Sequence, residues 1–347
     1  MSTHKAVAAI AKGQIDEIQV STATPGEDEV LIKVAYGSMV AFDTYVTDRG
    51  YFVDSFPSIL GPACAGTVEK LGSGITDLHI GDRVKFTKSM AFRETILIRW
   101  WWFQVTALNF GQSVNKAMQE YVVQPRRVVA KIPDSVPLEE AATLPDNFVT
   151  AYYTLFNQLG LPAPSSFPVA SPPPLATAPI LIYGAGSTTG NYAIQLLSLA
   201  GYKNIIATAS KRNHEHLHSL GATHTFDYNS PSLLQDVAVA AGSQGKALYA
   251  LDCISAESTL EIVGKLISPQ GKVAILLPIK EGTSVTGGLD QKMYAEVQPD
   301  KTPFPQTTEL IYVKTFTYQQ VLVFRWFTLL MLTSADLGWR FEGDFDA

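Results

Sequence analysis

Cysteine is scarce in this sequence: Cys64 and Cys253 are the only two. Two thiols cannot build a disulfide framework or a four-thiolate zinc site. They read as buried thiols in a reducing compartment, with the cytoplasm the expected location. Charge is sparse too, since charged residues make up 17% of the 347 and leave a formal net charge of -6. That sign removes long-range attraction to nucleic acid or an anionic membrane, so neither is an expected partner and any phosphate binding must be local. The opening MSTHKAVAAIAKGQIDE lacks the apolar core and cleavage site of a signal peptide and reads as a first strand. Long apolar runs are missing as well. The stretches 96–110 and 321–332 each fall short of the roughly 20 residues a spanning helix needs, and each holds an arginine.

What is present suits a folded enzyme. Hydrophobic residues reach 46%, enough to bury a core, and the length suggests two domains. In the first part, EVLIKVAY (29–36), AGTVEKLG (65–72) and EYVVQP (120–125) are short β-type runs between glycine turns, and Gly81-Asp82 turns into another strand. From about residue 146 the texture changes. A helix over 148–160 closes at Gly160, and the proline-rich stretch 161–175 reads as an exposed loop. Strands then follow at 180–184, 204–209, 223–228, 247–252 and 272–278, separated by helices and, before the last, by the turn Ser268-Pro269-Gln270-Gly271. Strands joined by helical crossovers predict a doubly wound parallel sheet, a Rossmann domain in an α/β protein.

Between the first of these strands and its helix lies Gly184-Ala185-Gly186-Ser187-Thr188-Thr189-Gly190. Glycines there permit a tight turn and close approach to a pyrophosphate, and the hydroxyls of Ser187, Thr188 and Thr189 join the free amides of the helix start. An acid that would bind ribose hydroxyls at the end of the second strand is absent. Ser210, Lys211 and Arg212 stand there instead and suit a 2′-phosphate, which points to NADP. His214 and His218 sit one helical turn apart on an expected exposed face, with no third metal ligand apparent.

The segments GDRV, KIPDSVPLEEAATLPDNFVTAYYTLF, IYGAGSTTGNYAIQLLSLAGY and ATASKRNHEHLHSLGATHTFDY resemble the zinc-independent quinone oxidoreductase and enoyl reductase branch of the medium-chain dehydrogenase/reductase superfamily, fungal trans-acting enoyl reductases above all. The resemblance runs from about residue 5 to about residue 280. It implies a GroES-like β-rich catalytic domain at 1–145, with an atypical insertion near 91–112. A Rossmann NADP-binding domain follows at 146–320, then an atypical tail at 321–347. The insertion and the tail read either as translated non-coding sequence or as a native surface facing lipid or substrate. Where zinc-dependent relatives carry Gly-His-Glu, this chain has Gly61-Pro62-Ala63-Cys64-Ala65-Gly66.

Further roles are carried by the resemblance alone. Tyr228 would pack near the ribose phosphate, Thr150 near the nicotinamide, and Leu277-Pro278 along its carboxamide. Asp43 and Thr44 match a cofactor-lining loop, although Met39-Val40-Ala41 replaces an asparagine common in relatives just before it. Tyr51 matches a tyrosine thought to assist protonation, or is a packed aromatic. The implied activity is NADPH-dependent reduction of an activated C=C bond in a small-molecule substrate by a monomer or homodimer. The alternatives are metal-free alcohol–carbonyl oxidoreduction and NADPH binding without turnover.

Overall fold

The computed structural model describes residues 2–87, 115–132, 136–164, 167–283 and 291–314. The insertion near 91–112 and the tail 321–347 lie outside the described residues. The chain divides into two compact units, with the boundary between Asp146 and Asn147.

The N-terminal unit is built of short antiparallel strands. Strands β1 (Thr3–Ala11) and β2 (Gln14–Ser21) form a hairpin. Strand β3 (Glu29–Ser38) leads to helix α1 (Ala41–Arg49), and β4 (Ser58–Ile59) returns beside β1. Next come β5 (Ala63–Leu71), β6 (Arg83–Thr87), β7 (Tyr121–Pro125) and β8 (Val129–Lys131), which with β3 make a sheet in the order β7-β3-β5-β6-β8. Val30, Ile32, Val68, Val84, Val122 and Val129 alternate inward along these strands and close a core around Cys64. A Cβ at Gly66 in mid-strand would lie 2.1 Å from the Lys33 carbonyl oxygen, so only glycine lets β3 and β5 pair there.

The C-terminal unit is the doubly wound sheet. Helix α2 (Leu138–Tyr152) begins in the N-terminal unit and continues into this one, loosens into wider turns over Tyr153–Gln158, and is ended as expected by Gly160, at a φ of 69°. Then follow β9 (Ile180–Tyr183), α3 (Thr188–Leu199), β10 (Ile205–Thr208), α4 (His214–Ser219), β11 (His224–Phe226), α5 (Leu233–Ala240), β12 (Ala247–Asp252), α6 (Glu257–Leu266) and β13 (Ile267–Leu276). A short pair, β14 (Ile279–Lys280) and β15 (Met293–Tyr294), precedes β16 (Glu309–Val313). The sheet order is β11-β10-β9-β12-β13-β16, and every pairing in it is parallel. Its central strand β9, Ile-Leu-Ile-Tyr, is buried throughout because helices cover both faces.

Four expectations change. The helix expected from 148 starts ten residues earlier, at Leu138, and continues past Pro145. The expected turn at 268–271 is a bulge inside β13, whose partners jump from Ile267 to Lys272 while β12 advances only from Ala247 to Tyr249. The sheet has a sixth strand, β16, beyond the five expected. The proline-rich stretch is irregular but not simply exposed, since Leu161 and Phe167 are buried and Tyr202 donates to the Pro162 carbonyl. Among the described residues, no helix is long and apolar enough to cross a membrane.

Candidate functional site

The sheet order reverses at β9, whose neighbours are β10 on one side and β12 on the other. Crevices at the carboxyl ends of such strands are where ligands bind in open α/β sheets. The glycine loop sits at that end of β9. Gly184 has a φ of 75°, and a Cβ there would lie 2.5 Å from Ile254 Cγ1, so the turn is both left-handed and packed from above. At Gly190 the collision would be with backbone, 2.7 Å from Ala185 Cα and 2.8 Å from its oxygen. Helix α3 therefore approaches its own loop as closely as a hydrogen allows.

The loop's polar groups separate by direction. Ser187 is the N-cap of α3, and its Oγ accepts the Gly190 N–H at 3.1 Å. Thr189 is buried and donates to Asn147 Oδ1 at 2.8 Å, so this hydroxyl faces inward rather than toward a ligand as expected. Thr188 is half-buried. The backbone N–H groups of Gly186, Thr188 and Thr189 find no acceptor among the described residues. Three unpaired amides at a helix start form a receptor for an anion such as a phosphate.

The residues expected at the ribose end follow β10. Ala209 closes the strand by donating to the Phe226 carbonyl at 3.1 Å, and half-buried Ser210 begins a turn over Lys211–Asn213. Lys211 and Arg212 are exposed, and neither is paired with an acid among the described residues. Tyr228, 43% exposed, stands just beyond β11. Leu277-Pro278 follows β13 at the same edge of the sheet, and Thr150 is buried on α2. His214 and His218 are each bonded to backbone, Ala209 O at 3.1 Å and Ala222 O at 2.9 Å. Among the described residues no group of three or more His, Cys, Asp or Glu side chains is placed to hold a metal.

Sequence reasoning passed over several groups that shape this edge. Asp252, at the end of β12, is wholly buried, and burial holds its carboxyl above the usual range. It accepts from the N–H groups of Ile254 and Ser255 and from the Thr259 hydroxyl, which fixes the turn that covers Gly184. Cys253, expected in the core, is half-buried beside Ser187, and burial pushes its thiol up to about 12. It therefore stands at the loop as a neutral thiol. Cys64 is a core residue as expected.

In the N-terminal unit, Asp43 and Thr44 lie on α1 and not in a loop. The Asp43 carboxylate is buried and accepts the Val40 N–H at 2.9 Å and the Gly61 N–H at 3.1 Å. It caps the helix and ties it to the strand turn. Thr44 is exposed and donates to the Ala41 carbonyl. Gly50, at a φ of 64°, ends α1, and the Tyr51 N–H returns to the Tyr45 carbonyl at 3.0 Å. Tyr51 is half-buried and meets Phe42 and Phe52 edge-on, at centroid distances of 6.0 and 4.3 Å. Burial raises its pKa, and its hydroxyl has no hydrogen-bond partner among the described residues.

The Gly190 contact gives a test of the loop. Gly190→Ala is expected to destabilise the chain by about 1–3 kcal/mol, because its methyl can be relieved only by shifting α3 off the backbone of Ala185. Urea unfolding of the full chain measures this. A stability equal to that of the wild type would show that the loop has room to relax.

Residues 26–134 match the alcohol dehydrogenase GroES-like domain family. Residues 188–289 match a family described as zinc-binding dehydrogenase. Among curated proteins, trans-enoyl reductase himH of Aspergillus japonicus is 35% identical over 243 residues, 70% of this chain. The chain spans 64% of the length of that relative. Trans-enoyl reductase eqxC of Fusarium heterosporum is 33% identical over 287 residues, covering 80% of this chain and 70% of the relative. Among solved structures, the Escherichia coli quinone oxidoreductase complexed with NADPH aligns with a TM-score of 0.70 at 18% identity, over 99% of this chain and 90% of that one.

Proposed function

The chain belongs to the medium-chain dehydrogenase/reductase superfamily, in its enoyl reductase and quinone oxidoreductase-like branch, and on that premise we propose that it reduces an activated carbon–carbon double bond with NADPH and without zinc. The substrate class is an enone, an enoyl thioester or a quinone. The observation that carries the proposal is the glycine loop at the switch point of the sheet, where the amides of Gly186, Thr188 and Thr189 stand free and Gly190 leaves no room for a side chain. The fungal trans-enoyl reductases and the quinone oxidoreductase solved with NADPH support the same reading by their names.

The chain's residues then take these roles. The loop amides receive the pyrophosphate, Ser210, Lys211 and Arg212 the 2′-phosphate, and Tyr228 packs beside the adenosine. Thr150, Leu277 and Pro278 border the nicotinamide end, with Asp43 and Thr44 near it by family resemblance. The bound nicotinamide supplies a hydride to the β-carbon of the double bond. Tyr51 donates a hydrogen bond to the carbonyl oxygen as negative charge builds there, and the enolate so formed takes a proton from solvent at its α-carbon, which completes the reduction. The zinc-free part of the proposal rests on Gly61-Pro62-Ala63-Cys64 standing where a metal-ligating histidine would be, with Cys64 buried in the core.

A panel of enones, quinones and enoyl thioesters, followed by loss of NADPH absorbance, tests the activity. Turnover of an enal with loss of the double bond and retention of the aldehyde is the expected result. Loss of the aldehyde instead would assign alcohol–carbonyl chemistry, and tight NADPH binding without oxidation across the panel would assign a binding protein. Elemental analysis of active protein is expected to find no stoichiometric zinc.

A further inference from the structure

The three free amides at the start of α3 act as an anion receptor only if their peptide planes are held. In a trans peptide the C=O of one residue and the N–H of the next point in opposite directions. Fixing the carbonyls of Ala185 and Ser187 therefore aims the N–H groups of Gly186 and Thr188 the other way. One side chain bridges both carbonyls: Asn191 Nδ2 donates to Ala185 O at 2.8 Å and to Ser187 O at 3.0 Å, and since Ser187 O also accepts the Asn191 backbone N–H at 2.9 Å, the side chain matters most for the Ala185 plane. The two side-chain bonds spend both amide hydrogens, and Asn191 Oδ1, which carries none, is left as the acceptor. His216 Nε2, from α4, lies 2.7 Å from that oxygen and must carry the proton that makes the bond.

We propose that His216 and Asn191 are a positioning pair that presets the glycine loop for pyrophosphate, with His216 fixing the orientation of the Asn191 amide and Asn191 turning the loop carbonyls away from the ligand. The inference rests on the reading of the loop as the dinucleotide site. Neither residue touches the phosphate. Without the His216 donor, Asn191 Oδ1 loses its partner and the amide is held only by the two carbonyls to which it donates, so its plane is free to turn away from them. The loop planes would then rotate and the amides splay.

The test measures dissociation constants for NADPH and NADH by titration calorimetry on the full chain, with melting temperature and binding stoichiometry alongside. In His216→Leu both cofactors should weaken by about tenfold, the equivalent of one lost hydrogen bond, with the NADPH/NADH ratio and the stoichiometry unchanged. Glutamine, whose Nε2 can take the place of the imidazole Nε2–H, should restore affinity in His216→Gln. Asn191→Asp should lose more than His216→Leu, since a carboxylate has no hydrogens for Ala185 O and Ser187 O. Unchanged affinity in His216→Leu, a shifted cofactor ratio, or a glutamine variant as weak as the leucine variant would each overturn the positioning role. Wild-type protein that binds neither cofactor would instead overturn the dinucleotide reading, and the pair would fall with it.

Discussion

Wild-type protein should bind NADPH on the order of a hundredfold more tightly than NADH, and Ser210→Asp should abolish or reverse that preference. The origin is the residue set after β10. Ser210 offers a hydroxyl, while exposed Lys211 and Arg212 offer charge without a competing acid among the described residues. A 2′-phosphate received there gains two or three charge-assisted hydrogen bonds worth roughly 1.5–3 kcal/mol each where dry. Exposure of both cations cuts this sharply through solvent and salt screening, leaving about 2.7 kcal/mol, which corresponds to a hundredfold. Lys211→Ala should remove about a tenfold share and leave NADH binding alone. Ser210→Asp places a carboxylate where the phosphate would sit, repels it, and supplies the acceptor that ribose hydroxyls prefer. Dissociation constants of both cofactors for the three proteins decide it. Equal affinities in the wild type would show that these side chains do not meet the ribose, and the cofactor preference would fall while the sheet and its loop stood.

The legible parts of this protein are those written in local pattern. Strands β9 to β13 and their helices follow apolar runs and glycine stops, and β12 falls on the expected residues 247–252. The glycine loop was legible because strand, glycines and helix are contiguous. Helix α2 hid its first turns because Pro145 reads as a breaker, although the helix runs through it. Strand β16 hid because no helix of the alternating series leads into it and its partner β13 ends more than thirty residues earlier. Asn191 carried a faint signal, an amide one residue past the last glycine of the loop, in a helix that holds a second amide at Gln195. His216, which meets it from 25 residues away on another helix, carried none. Hydroxyl directions were equally silent: Thr189 and Ser187 look alike in sequence, yet one is buried against Asn147 and the other caps the helix. Asp43 was matched to a cofactor-lining loop by resemblance alone, and nothing in the sequence showed that it lies on a helix with its carboxylate accepting from two backbone amides.

Tyr51→Phe should lower turnover by about ten- to a thousandfold while leaving NADPH affinity within a small factor of the wild type. The phenol is half-buried among Phe42 and Phe52, and no described residue bonds its hydroxyl, so the proton is not committed to the fold. Burial raises its pKa above the ordinary value near 10, which keeps the hydroxyl a neutral donor throughout the neutral range. The sign follows from that direction. A raised pKa means that Tyr51 stays protonated as the pH climbs, so its contribution to the rate should persist past pH 8 and fail only above the pKa of a free tyrosine. Removing the oxygen leaves the ring and its aromatic contacts in place, so stability should change little. The donor is needed only as charge builds on the carbonyl oxygen, so the loss should appear in kcat, with cofactor binding spared. Steady-state kinetics on an active enone, with cofactor affinity measured separately, resolves the two. An unchanged kcat would make Tyr51 a packing residue whose hydroxyl meets water, and a loss of NADPH affinity matching the loss of rate would place it in cofactor binding instead.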